Sequence, residues 1–99
     1  MITHVVVFWS DKPVEESRKK LLEGAKPLAD IPGVQNFRFG APVPSPRATV
    51  DDSFSVAISM DIENAEVAAA YQTHPLHQHF LKTYVGSVAK RVLVYDFEA

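Results

Sequence analysis

The sequence predicts an α+β domain with a four-stranded antiparallel sheet and the element order β-α-β-β-α-β. Four segments rich in β-branched and aromatic residues are set apart by two stretches of helical periodicity. A Pro-rich tract, not a helix, joins the middle two strands. A chain of 99 residues at 46% apolar composition is large enough for one core and too small for two.

Strand one is THVVVFW, residues 3 to 9, and it stops at SDKP, where Pro13 followed by Glu15 and Glu16 suits a first helical turn. Val14, Leu21, Leu22, Ala25, Leu28 and Ala29 then recur near a 3.6-residue period, so helix one buries one face. Gly24 and Pro27 interrupt it; Pro27 lacks a backbone donor, which predicts a kink or break before IPGV. Strand two is VQNFRFG, and the prolines at 42, 44 and 46 make the following segment a loop. In SFSVAISM, residues 53 to 60, Phe54, Val56, Ile58 and Met60 alternate with Ser53, Ser55, Ala57 and Ser59, which gives strand three two unlike faces. Asn64 can cap an alanine-rich helix, Pro75 opens a second short one, and RVLVYDF is strand four. This is the split β-α-β, ferredoxin-like order.

Strands one and four are apolar on both sides: Val6 and Phe8 back onto Val5, Val7 and Trp9, and Val92 and Val94 onto Leu93, Tyr95 and Phe97. Helices cover only one sheet face, so a second copy packed sheet to sheet is expected to cover the other.

Composition removes several function classes. Twelve acidic and 10 basic residues, a net charge of -2, give no footprint for nucleic acid or anionic lipid. Absence of cysteine excludes thiolate ligands and cysteine nucleophiles. The apolar run VVVFW is too short for a signal peptide or a membrane span, which makes the cytoplasm the expected location. The chain has no G-x-S-x-G, P-loop or G-x-G-x-x-G. An RNA-recognition domain shares the element order, but strand three lacks the basic and aromatic residues such a platform needs.

The stretch YQTHPLHQHF, residues 71 to 80, concentrates three of the four histidines. On a helix starting at Pro75, His77 joins the apolar stripe of Phe80, Leu81, Tyr84, Val85 and Val88 and points inward, whereas His79 falls with Lys82 and Thr83 in solvent. Tyr71 and His74 approach the same inner space, and His4 shares a strand face with Val6 and Phe8. Each has a plain structural reading: His77 as a hydrogen-bonded core residue, His74 as a helix cap, Tyr71 as a wall. His74 and His77 have the spacing of metal ligands on one helix face. The third histidine points away and no acidic or thiol ligand is near, so neither metal nor cofactor is expected.

The run Y-x-x-H-P-x-H-x-x-F, formed by Tyr71, His74, Pro75, His77 and Phe80, resembles the stress-responsive A/B barrel (Dabb) family, as do His4, the IPGV segment and the closing RVLVYDF. The resemblance covers essentially the whole chain. It implies a ferredoxin-like monomer that forms a dimeric α/β barrel. One member of the family closes a linear polyketide by intramolecular aldol condensation, and its catalytic histidine and tyrosine fall on His77 and Tyr71, its strand-one pocket histidine on His4. A further pocket histidine and a helix-one tyrosine of that cyclase fall on Ser55 and Gly24. The resemblance thus implies His77 as the base and Tyr71 as the donor in proton transfer. The alternative is a non-catalytic stress or ligand-binding protein on the same fold.

The pocket for a small apolar or aromatic ligand is expected between the helices and the small-residue face of strand three, where Ser55, Ala57 and Ser59 leave space. His4, Val6, His74, Phe80, Val92 and Val94 are expected as further binding residues around Tyr71 and His77.

Overall fold

The structure of the chain, a computed structural model, describes residues 1–11 and 14–99. The expected first helical turn at Pro13 and the inward role of the Val14 side chain lie outside the described residues. Strands β1 (Ile2–Ser10), β2 (Val34–Gly40), β3 (Val56–Ile62) and β4 (Ala89–Glu98) form one antiparallel sheet in the order β2-β3-β1-β4. Helix α1 (Val14–Ala25) joins β1 to β2, and α2 (Ala65–Thr73) with α3 (Pro75–His79) leads from β3 towards β4. This is the ferredoxin-like topology the element order predicts.

Register decides which faces meet. His4 lies between Met60 and Asp96, Val6 between Ile58 and Val94, and Phe8 between Val56 and Val92. Opposed residues of an antiparallel pair share a sheet face, so the His4, Val6 and Phe8 row joins the large residues of β3. Val56, Ile58, Met60 and Ile62 are buried there with Leu21, Ala25 and Leu28 of the α1 region and with Phe80 and Val88. Thr3, Val5, Val7 and Trp9 join Asp61, Ser59 and Ala57 on the other face. No described helix is long and apolar enough to cross a membrane.

Two local features differ from the sequence reading. β3 begins at Val56 because the chain bends at Ser55, whose backbone N–H donates to the Phe8 carbonyl at 2.8 Å and whose hydroxyl accepts from the Ser10 N–H at 3.1 Å. That bend breaks the two-residue alternation, and Phe54 borders a surface hollow with Val7, Trp9 and Tyr95 instead of joining Val56 in the core. Beyond α3 the helix widens into a π-helical stretch, Phe80–Val85, before a last turn, α4 (Gly86–Val88). Pro27 does end α1, which tightens into a 3₁₀ turn over Lys26–Asp30.

Gly24 is required by packing. A Cβ there would lie 2.3–2.7 Å from three carbons of the Tyr84 ring, which the π-helical stretch brings onto α1. Tyr84 in turn stacks on Phe80 at 6.3 Å between ring centroids, and Phe80 meets Phe8 edge-on at 5.8 Å.

Candidate functional site

A cavity of about 120 Å³ lies between the helices and the β1, β3 and β4 face. Val6, Phe8, Leu28, Ile58, Met60 and Phe80 form its apolar wall, and His4, Tyr71 and His77 supply its polar tips. Leu81 on one side and Val92 and Val94 on β4, 40% and 51% exposed, border its mouth. Of the residues expected in the pocket, His4, Val6, Tyr71, His77, Phe80, Val92 and Val94 come together here.

Ser55, Ala57 and His74 do not line it, and the expected location between the helices and the small-residue face is corrected. Ala57 pairs with Val7 and borders a shallow surface hollow with Val5, Phe54 and Ser59 on the sheet's other face. Ser55 is buried, but its hydroxyl and carbonyl are engaged by the Ser10 N–H and, at 3.0 Å, by Arg18 Nε. The cavity instead abuts Ile58 and Met60, because β3 turns its large side chains towards the helices. His74 is the N-cap of α3: its Nδ1 accepts from the Leu76 N–H at 3.1 Å, which satisfies a helix-start donor.

Local structure fixes the three polar tips. Asn64 caps α2 by accepting from the Val67 N–H at 3.0 Å, and Tyr71 lies on the inner side of that helix. His77 is one turn into α3, and its Nδ1 stands 3.0 Å from the Gln72 carbonyl oxygen. A carbonyl only accepts, so Nδ1 carries the hydrogen and Nε2 is left with its lone pair. His4 on β1 has its Nδ1 2.5 Å from the Asp96 carboxylate on β4. The Tyr71 ring contacts both imidazoles, 4.6 Å from the His77 centroid and 5.8 Å from that of His4.

Among the described residues the Tyr71 hydroxyl and both Nε2 atoms have no protein partner, and none is sealed into the core; all three residues line the cavity. Burial raises the Tyr71 phenol above its ordinary value of 10.0, so it stays a hydrogen-bond donor near neutral pH. Burial also lowers His77 below 6.5; the Gln72 carbonyl opposes that shift and the neighbouring His4 adds to it. At neutral pH His77 is an uncharged imidazole with a free acceptor on a ring that lines an apolar cavity, beside a phenol that donates. Such a pair can accept a proton from carbon and stabilise the oxygen on which charge develops.

Asp96 is the polar residue the sequence reading missed. Strand alternation carried its signal, since it falls on the same face as Val92 and Val94. Gln72 was missed too, because its contribution is a backbone carbonyl. Among the described residues no three His, Asp or Glu side chains converge as a metal site.

The profile of the stress responsive A/B barrel domain family matches residues 2–99. A Dabb family protein with a ferredoxin-like fold from Mesorhizobium loti is 26% identical and superposes with a TM-score of 0.77 over 99% of this chain and 95% of its own. An Arabidopsis thaliana protein at 24% identity superposes with a TM-score of 0.81 over 100% and 95% of the two chains. A dimeric ferredoxin-like protein of unknown function from Thermobifida fusca, 23% identical, gives 0.78 over 99% and 90%. No curated protein matches the chain.

Proposed function

We propose, from the premise that this chain belongs to the stress responsive A/B barrel domain family, that it is a homodimer whose protomers each hold a small-molecule pocket working by proton transfer. In this reading His77 takes a proton from a carbon beside a carbonyl, and Tyr71 donates to the oxygen of the resulting enolate. The observation that carries it is the convergence of an acceptor nitrogen of fixed tautomer and an unpaired phenol in an apolar cavity of about 120 Å³. That volume is on the scale of an engineered cavity of about 150 Å³ that binds benzene, so the reacting part of the substrate is ring-sized. A polyketide-cyclase-like aldol closure uses the same proton removal, and a longer substrate would extend past Val92 and Val94 at the mouth.

The dimer rests on the sheet face turned from the helices, where Tyr95 and Phe97 are 57% and 55% exposed beside Val5, Val7 and Leu93. A patch of this kind is usual at interfaces, and two copies face to face would bury it. The Thermobifida fusca relative is a dimer.

Deuterium incorporation from heavy water into a small cyclic ketone, followed by NMR, tests the proton-transfer reading. Catalysed exchange that His77→Ala removes supports it. Absence of exchange in the wild type, with a ligand still held in the cavity, leaves the non-catalytic ligand-binding protein.

A further inference from the structure

We infer that the Asp96–His4 pair is a second acid–base unit in the same pocket, with His4 returning a proton to the substrate and Asp96 positioning His4. This rests on the proton-transfer reading of His77 and Tyr71 and adds a reaction class: isomerisation of a small β,γ-unsaturated ketone to its conjugated form.

The geometry begins at β4. Asp96 stands opposite His4 in the β1–β4 register, and its Oδ1 lies 2.5 Å from His4 Nδ1. A carboxylate only accepts, so Nδ1 holds the hydrogen and Nε2 is left free on a ring that lines the cavity; a carboxylate behind an imidazole fixes ring orientation and tautomer in this way. His4 is buried while the Asp96 side chain is 56% exposed, so the pair spans from the cavity wall to solvent. His4 and His77 both contact the Tyr71 ring and line the same cavity, so a molecule held there meets two imidazoles and one phenol.

Two imidazoles around one donor suit a proton that leaves one carbon and arrives at another. The C–H bond between the carbonyl and the alkene breaks, its proton goes to His77 Nε2, and the electron pair becomes a dienolate whose oxygen accepts from the Tyr71 hydroxyl. The dienolate's terminal carbon then takes a proton from Nε2 of His4 in its protonated state, and the double bond moves into conjugation. Atoms and electrons balance with no oxidant, reductant or water. After turnover His77 holds one proton more and His4 one fewer, and exchange with solvent restores both.

The probe is cyclohex-3-enone, whose conversion to cyclohex-2-enone is followed by ultraviolet absorbance. Exchange of its hydrogens beside the carbonyl, read by NMR in heavy water, reports the first step alone. Asp96→Asn presents an amide that can donate to Nδ1 and so shift the hydrogen to Nε2. We expect ¹⁵N NMR to show the uncharged form of His4 as the Nδ1–H tautomer in wild-type protein and to lose that preference in the variant. We expect the ratio of isomerisation to exchange to fall about 10²-fold, the lower range for loss of an acid–base group.

An unchanged His4 tautomer, or an unchanged ratio, overturns the second unit while leaving His77 and Tyr71 in place. Wild-type exchange without isomerisation does the same. Absence of both reactions removes the proton-transfer reading itself, and the inference with it.

Discussion

Replacing His77 with alanine separates a pocket base from a residue that merely fills the core. The ring gives up the Nδ1–H bond to the Gln72 carbonyl, worth about 1 kcal/mol net, and its tilted ring contact with Tyr71, worth about 0.5–1.5 kcal/mol. The carbonyl is not orphaned, because Gln78 Nε2 also donates to it at 2.7 Å. One side of the ring faces the cavity, so the truncation enlarges an existing space instead of opening a sealed void. The expected cost is therefore about 1.5–2.5 kcal/mol, or a melting temperature lowered by roughly 6–20 °C for a domain of this size. Loss of a general base lowers proton-transfer rates by about 10²- to 10⁴-fold. Circular dichroism melts paired with α-deuterium exchange into a small ketone read both quantities on one sample. A variant that is unfolded at 25 °C, or that is folded and exchanges as fast as wild type, would refute the assignment.

The pH dependence has a definite sign. Because the folded His77 titrates below 6.5, the unfolded chain binds its proton first as pH falls through 6.5; stability drops in that window, and exchange falls as His77 itself is protonated. Tyr71, raised above 10.0 by burial, ionises first in the unfolded chain, so stability also falls as pH rises past 10; urea melts across pH should show a shoulder at each end, and Tyr71→Phe should remove the alkaline one. Val7→Asp and Leu93→Asp each put an unpaired carboxylate on the face assigned to the dimer, which costs several kcal/mol if that face is buried. Light scattering should give twice the chain mass for wild type and monomer or aggregate for the variants, and dimers of wild-type stability in both would count against sheet-to-sheet assembly. Gly24→Ala gains helix propensity but drives a methyl into the Tyr84 ring, for a net loss of about 1–3 kcal/mol; Tyr84→Ala in the same chain should cancel most of that interaction, as a double-mutant cycle would measure.

The element order was legible because each segment's period, cap and breaker agree, with Asn64, Pro75 and Pro27 all acting as their chemistry predicts. Which face of β3 meets the helices was not legible. Alternation sorts residues into two sets but does not say which set joins His4, and the register that does so, His4 against Met60, is a long-range pairing. Small residues suggest space, yet the helices need large apolar partners to bury, and Ile58 and Met60 supply them. The space comes from elsewhere: β4 lies at the sheet's edge, and the helices leave Val92 and Val94 half open. The missed aspartate follows from the same limit. A carboxylate following Val92 and Val94 on one face reads as a solvated strand end until register sets it against His4. The pocket's His77–Tyr71 pair can therefore be read within one short segment, while the β3 side of its wall is set by pairing with β1 and its Asp96–His4 pair is created only by closing β4 onto β1.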